Sequence, residues 1–136
     1  MVHFLKSVIL ASHHPINLEL TLNSGQSFRW IRKGGLFEGV LGDSLVQLRD
    51  NGESIEVIDC ESNSDYLLNL LRCYFRLDDR WEEIVGTLGR DTHVAQALLK
   101  CQGLRLLNQS PWETLIAFVT SSVSSIAKVS YCLEGL

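Results

Sequence analysis

The spacing of apolar residues divides the chain into a strand-like first half and a helical second half. In the first half, apolar and polar residues alternate through five short runs, a period that favours half-buried β-strands. The runs span residues 17–22, 27–32, 36–41, 44–49 and 54–58. Turn-forming residues, most of them glycine, separate the runs, and tight turns of this kind join antiparallel strands. The pattern therefore predicts an antiparallel meander.

The first predicted turn, Asn23-Ser24-Gly25, joins two of these strands into a hairpin. Glycine adopts positive φ at little cost, so Gly25 suits the turn. In the strand that follows, the alternation places Phe28 and Trp30 on one face and Arg29 on the other. The simplest interpretation is a hairpin with a core-facing aromatic pair. Because a residue without a side chain lets a ligand approach the main chain, a binding loop is the alternative.

Beyond residue 60 the apolar period lengthens to that of helices. Residues 61–65 are rich in N-cap types, and apolar side chains then recur at helical spacing through Tyr66, Leu67, Leu70, Leu71 and Tyr74. Two shorter amphipathic helices follow. The first carries Trp81 and ends at Gly86 or Gly89, and the second begins after Asp91 and ends near Gly103. Strands that precede helices in this way predict an α+β fold with an antiparallel sheet.

The last predicted helix has a strong start signal and little polar surface. Ser110 is a preferred N-cap, Pro111 suits the first helical position, and Glu113 favours the first turn. From Trp112 to Val119 the helix is apolar on nearly every side. A helix of this kind is expected to be buried by other elements. Few residues follow it, so we expect this chain to be part of something larger.

Composition and charge limit the classes of function. The chain has 136 residues, of which 46% are hydrophobic and 21% charged, as in a folded globular domain. Its net charge of −4 argues against a protein that binds nucleic acid through charge alone. No apolar run approaches the length of a membrane span. The amino end, residues 1–11, is interpreted as mature chain and not as a targeting peptide.

The residues alone indicate no catalytic set, no metal site and no cofactor. The four cysteines lack zinc-ligand spacing, which favours reduced thiols in an intracellular compartment: Cys60, Cys73, Cys101 and Cys132. His13 and His14 are adjacent and lack the spacing of helical metal ligands. A Schiff-base lysine needs a desolvated pocket, and all four lysines lie in surface-type contexts: Lys6, Lys33, Lys100 and Lys128. Asp78-Asp79 and Glu82-Glu83 are interpreted as helix-start residues on a solvated face.

Several motifs in collinear order nevertheless carry a family resemblance. They are Ser24-Gly25-Gln26-Ser27-Phe28-Arg29-Trp30, then Tyr74-Phe75-x-Leu77-Asp78, then Gln102-Gly103-x-Arg105-Leu106-Leu107, and finally Phe118 through Ser121-Ser122. Together they resemble the amino-terminal part of eukaryotic 8-oxoguanine DNA glycosylase. The resemblance implies a sheet domain like half of the TATA-binding protein, over residues 1–108. Residues 109–136 would then begin an all-helical helix-hairpin-helix domain, incomplete in this chain.

The resemblance also implies a function and a location. The family removes oxidised purines from damaged double-stranded DNA in base-excision repair, as a bifunctional glycosylase and lyase. It implies work in the nucleus, with mitochondria as a second compartment, and no metal or membrane partner. The family's catalytic lysine and aspartate match no residue of this chain. We therefore expect the chain alone to be inactive, and the alternative is a non-catalytic DNA- or protein-binding module.

By resemblance, the substrate-binding residues are Gly25, Gln26 and Phe28. In the family, the glycine that matches Gly25 offers its carbonyl oxygen to the flipped-out base. Guanine has an acceptor at N7, whereas 8-oxoguanine carries a hydrogen there, so a fixed carbonyl would bind the lesion and repel the normal base.

The residues that would contact the opposite cytosine depart from the family pattern. Val123, Ser124 and Ser125 stand where the family has an asparagine run, and Lys128 stands where it has an arginine. Valine cannot make the family's hydrogen bond, and lysine keeps the charge but loses the planar fork of arginine. The sequence therefore predicts weakened recognition of the opposite base.

Overall fold

A computed structural model describes residues 7–52, 54–58 and 64–122. In this part of the chain, five strands form one antiparallel sheet, accompanied by five helices. The strands are β1 (Val8–Leu10), β2 (Trp30–Lys33), β3 (Leu36–Leu41), β4 (Ser44–Asp50) and β5 (Ile55–Ile58). The helices are α1 (Leu18–Leu22), α2 (Ser64–Tyr74), α3 (Trp81–Leu88), α4 (Thr92–Lys100) and α5 (Pro111–Ser121). The predicted α+β class is confirmed.

The predicted meander is confirmed for four of the five strands. The spatial order is β1-β5-β4-β3-β2, so β2 to β5 pair in the order of the chain. Gly34, Gly35, Gly42 and Gly52 adopt positive φ in the connecting turns. No strand was predicted over residues 8–10. In the structure they form β1, which pairs with β5 at the far side of the sheet.

The prediction of a strand over residues 17–22 was wrong, because Leu18–Leu22 forms helix α1. The Asn17 side chain caps this helix: its Oδ1 accepts a hydrogen bond from the Leu20 amide at 2.8 Å. Leu18, Thr21 and Leu22 are buried, at helical spacing. Six residues are too few for apolar alternation to separate the two periods. There is consequently no hairpin at Gly25, which lies in the connection between α1 and β2.

The core lies between one face of the sheet and helices α1 and α2. Strand side chains that alternate inward pack with buried residues of the helices and of the α2–α3 connection, including Leu18, Leu22, Leu71, Tyr74 and Phe75. Trp30 lies opposite Gly39 in the β2–β3 register. A Cβ atom on Gly39 would lie 2.5 Å from the Trp30 ring, so glycine is needed there for the ring to cover the sheet.

The predicted helices of the second half are confirmed, with small changes at their ends. Helix α3 ends at Leu88, followed by Gly89 as C-cap. Asp91 caps α4 by accepting hydrogen bonds from two main-chain amides, and α4 ends at Lys100, before Gly103. None of α3, α4 and α5 contains a buried residue. No helix in the described ranges is long and apolar enough to cross a membrane.

Candidate functional site

Gly25 occupies an exposed loop between α1 and β2. Its φ of +82° is a left-handed conformation that favours glycine. A Cβ atom at Gly25 would meet no other atom within 4 Å, so the loop leaves open space beside its main chain. Within residues 7–52, 54–58 and 64–122, no protein group donates a hydrogen bond to the Gly25 carbonyl oxygen. The loop therefore offers an unoccupied main-chain acceptor.

Gln26 holds this loop in place. Its Nε2 donates to the Ser24 hydroxyl at 2.8 Å and to the Arg105 carbonyl at 2.9 Å. Its Oε1 accepts from the Leu107 amide at 2.9 Å, and its main-chain carbonyl accepts from the Gln109 side chain at 2.5 Å. The side chain thus uses both ends of its amide within the protein. Gln26 fixes the Gly25 loop to the segment 105–109, which follows the loop by about 80 residues in the sequence.

A second set of hydrogen bonds fixes the same two parts of the chain. The Asn17 amide donates to the Gly103 carbonyl at 2.9 Å, and the Arg105 amide donates to the Thr21 hydroxyl at 3.1 Å. Gly103 has φ of +79°, and a Cβ atom there would lie 2.7 Å from the Asn17 nitrogen. Only glycine fits this approach. The loop is therefore held on both sides and is positioned before any ligand arrives.

A cleft of about 310 Å³ lies beside the loop, between residues 27–29 and helix α5. Its walls are mainly apolar and aromatic, with contributions from Phe28, Trp112, Ile116 and Ala117. Phe28 is half-buried and precedes β2, so the prediction of a core-facing Phe28–Trp30 pair holds only for Trp30. Residues 27–29 form no strand, which leaves the Phe28 ring at the cleft and not in the sheet.

Charged and polar groups connect the cleft to the core. Arg29 forms an ion pair with Glu113 of α5, and the distance from Arg29 Nη1 to Glu113 Oε1 is 2.5 Å. Trp30 Nε1 donates to the Tyr74 hydroxyl at 2.9 Å. Burial raises the pKa of the Tyr74 phenol above its ordinary value. Tyr74 is therefore neutral at physiological pH and acts as a fixed hydrogen-bond partner.

The burial of Arg105 was not predicted from the sequence. This side chain is only 2% exposed, and its guanidinium lies 4.1 Å from the centre of the Trp81 ring. The motif that contains Arg105 carried the family resemblance, but no local pattern distinguished a buried arginine from an exposed one. Arginine is rarely buried, so composition and periodicity gave no signal.

The structure brings together the three predicted substrate residues and does not describe the others. Gly25, Gln26 and Phe28 lie in the connection between α1 and β2, and of the three only Phe28 lines the cleft. Val123, Ser124, Ser125 and Lys128 lie outside the described residues, so their predicted roles stay predictions. Among the described residues, no group of three or more His, Cys, Asp or Glu side chains could hold a metal ion.

Comparison with known proteins places this fold in the class of DNA glycosylases. The family model for the 8-oxoguanine DNA glycosylase N-terminal domain matches residues 8–115. The N-glycosylase/DNA lyase of Saccharomyces cerevisiae is 37% identical over 128 residues, covering 85% of this chain and 34% of that protein. The chain therefore belongs to the 8-oxoguanine DNA glycosylase family, as the sequence motifs indicated.

Solved structures agree with this assignment. The 8-oxoguanine glycosylase/lyase of Clostridium acetobutylicum in its apo form superposes with a TM-score of 0.83 at 28% identity, covering 94% of this chain and 45% of that one. MBOgg1, in complex with a low-affinity DNA ligand, superposes with a TM-score of 0.80 at 28% identity. The match covers 96% of this chain and 46% of that one. The chain thus spans about a third of the yeast relative and under half of each solved chain.

Proposed function

We propose that this chain supplies the lesion-recognition loop of an 8-oxoguanine DNA glycosylase/lyase in base-excision repair. The observation that carries the proposal is the Gly25 loop, which Gln26 holds in place. No donor among the described residues occupies the Gly25 carbonyl oxygen. A carbonyl fixed before binding can accept the N7 hydrogen of 8-oxoguanine, and it would face the N7 lone pair of guanine. The substrate is damaged double-stranded DNA with the target base flipped out, and the nucleus is the proposed compartment.

The adjoining cleft supports the same proposal. A flipped base is usually held by stacking against aromatic or apolar side chains. Phe28 and Trp112 provide such surfaces beside the loop, in a space that suits a small planar group. Excision itself requires an amine nucleophile and an acid/base group, and by resemblance this chain carries neither. We expect the purified chain to cleave no lesion-containing strand, so strand cleavage by the 136-residue chain would contradict this part of the proposal.

The decisive experiment places residues 8–115 of this chain in the yeast relative, in place of the matching segment. The chimera is expected to excise 8-oxoguanine from duplex DNA. Gly25→Ala should reduce the preference for 8-oxoguanine over guanine by about 5- to 100-fold, because a displaced carbonyl leaves a buried donor unpaired. Gly52→Ala is the matched control: its φ is +83°, and a Cβ there also meets nothing within 4 Å. Equal effects of the two substitutions would show that Gly25 has no special role.

A second candidate function is a protein-binding module without catalysis. The exposed apolar surface of α5 favours it, since Trp112 and Phe118 are 68% and 72% exposed. The two candidates differ in their dependence on salt. DNA binding through phosphates weakens steeply as salt rises, whereas an apolar protein contact does not.

A further inference from the structure

A second cleft, of about 250 Å³, lies between helices α3 and α4 and shares no residue with the Gly25 loop. Its walls are almost entirely apolar and include Trp81, Leu88, Leu98 and Leu104. Arg105 also lines this cleft and is the one charged residue among its lining residues. An apolar cavity with a single cation in its wall is typical of a site for a small molecule that has an apolar body and an anionic end.

The guanidinium of Arg105 has hydrogen-bonding capacity that the described protein does not use. Its Nε and Nη2 atoms are buried and have no hydrogen-bond partner among the described residues. A buried donor without a partner is costly, and such groups in native proteins call for a specific explanation such as a ligand or an ordered water. The stacking on Trp81 occupies the face of the guanidinium. It leaves the N–H edge, which is the part that recognises anions, unsatisfied.

No acidic side chain of the described protein pairs with Arg105. Asp79 is the acid that most influences it, but the Asp79 carboxylate forms an ion pair with Arg76 at 2.8 Å. Arginine keeps its charge at any physiological pH, so the cation in the cleft wall is permanent. Carboxylate is the anion whose two oxygens match the guanidinium fork.

We propose that this cleft binds a short aliphatic carboxylate, with its carboxylate on the N–H edge of Arg105 and its alkyl chain between α3 and α4. At the packing density of protein interiors, about 0.74, the cavity holds about eight to ten heavy atoms. A six-carbon acid fits this size. The two unpartnered nitrogens are buried, so binding requires the Arg105 side chain to turn its N–H edge toward the cavity. Exposed leucines at the rim, Leu88 and Leu106, extend the apolar surface outward.

An NMR titration of the 136-residue chain with hexanoate tests the proposal. The indole N–H signal of Trp81 reports on the cleft, while the signals of Trp30 and Trp112 are internal controls. Hexanoate should shift the Trp81 signal saturably, with an affinity at least about ten-fold higher than that of hexanol, because only the acid forms charge-assisted hydrogen bonds. Equal affinities for the acid and the alcohol would overturn the proposal, since the Arg105 donors would then be satisfied by water.

Two variants separate binding in the cleft from general effects on folding. Ala97→Leu enlarges a side chain that lines the cleft and should weaken hexanoate binding at least about ten-fold. Gln96→Leu adds a similar side chain on the same helix, at a residue that does not line the cleft, and should leave binding unchanged. Unchanged binding in Ala97→Leu would contradict the proposal. So would a sizing experiment in which the chain dimerises through this cleft and excludes hexanoate.

Discussion

Helices α2 and α5 have the same length, 11 residues, but opposite relations to the core. Helix α2 carries charged residues at both ends and still buries Leu71 and Tyr74 completely or nearly so. Helix α5 is the more apolar of the two and contains no buried residue. Burial therefore depends on which partner an element meets, and apolar composition alone does not produce it.

The difference also explains where the two helices contribute. Helix α2 stabilises the sheet domain, because its apolar stripe covers the inner face of the strands. Helix α5 lines the candidate base-binding cleft with one side and leaves Leu115, Phe118 and Val119 exposed on others. Contiguous exposed apolar side chains are typical of a contact surface. The following predictions test this division of roles, from the largest expected effect to the smallest.

Truncation of the buried face of α2 should have the largest effect. Leu71 is fully buried, so Leu71→Ala should lower the free energy of unfolding by about 2–5 kcal/mol through lost burial and an unfilled cavity. Urea denaturation measures this change. Leu115→Ala on α5 is the matched control and should change the free energy by no more than about 0.5 kcal/mol. Similar losses in both variants would show that α5 is as well packed as α2.

Removal of the Tyr74 hydroxyl should have an intermediate effect. Tyr74→Phe leaves the buried Trp30 Nε1–H without its acceptor, which should cost about 1–3 kcal/mol of stability at neutral pH. Phe75→Tyr is not an informative control, because it adds a hydroxyl to a fully buried site. Tyr66→Phe is suitable, since Tyr66 lies on the same helix and is 60% exposed. A loss in Tyr66→Phe equal to that in Tyr74→Phe would contradict the expectation.

The same tyrosine predicts a dependence of stability on pH. Burial raises the pKa of Tyr74 in the folded protein, so the folded state holds its proton where the unfolded state has lost it. The stabilisation is complete below the pKa of the unfolded tyrosine, about 10, and is lost as pH rises through the higher folded value. Urea midpoints between pH 8 and pH 11 should fall less steeply in Tyr74→Phe than in the unchanged protein. Parallel curves would show that Tyr74 does not contribute.

Loss of the ion pair between Glu113 of α5 and Arg29, the residue before β2, should have a smaller effect on stability. The Arg29 and Glu113 side chains are 29% and 36% exposed, so solvent screens their attraction. Glu113→Gln should lower the free energy of unfolding by about 0.2–1 kcal/mol, and the difference should shrink in high salt. Glu83→Gln, which breaks a more exposed pair with Arg80, provides the comparison and should cost still less. A loss above this range that persists in high salt would indicate that the pair organises the cleft.

Polar substitution on the exposed face of α5 should have the smallest effect on stability. Phe118→Ser should change the free energy of unfolding by about 0.5 kcal/mol or less, because the ring is 72% exposed. The exposed apolar side chains of α5 are expected to cause weak self-association, and the substitution should reduce it. Light scattering at increasing protein concentration measures this change. Association that is unchanged by the substitution would show that another surface is responsible.

Local sequence signals predicted most of the secondary structure. The alternating runs and glycine turns predicted β2 to β5, and the caps at Asp91 and Ser110 predicted the starts of α4 and α5. These signals succeed because strands and helix ends are selected by neighbouring residues. They failed at residues 17–22, where an apolar alternation over one and a half turns fits both periods and the Asn17 cap favours the helix.

The candidate site was predictable only in part. The motif around Gly25 pointed to the loop, and the positive φ of Gly25 agrees with that prediction. The restraint of the loop by Gln26 could not be predicted, because its partners Arg105 and Leu107 lie 79 and 81 positions away. Phe28 was assigned to a strand face, and only the folded chain shows it at the cleft.

The sequence by itself determined the α+β class, the antiparallel meander, most helix starts and the membership in the glycosylase family. Tertiary structure alone decided that α2 is covered while α5 is not, that Arg105 is buried against Trp81, and that Gln26 fixes the Gly25 loop. The physical reason is the sequence separation over which each kind of interaction acts. Turn geometry, capping and periodicity act over a few residues, whereas burial and long-range hydrogen bonds depend on which distant segments meet when the chain folds.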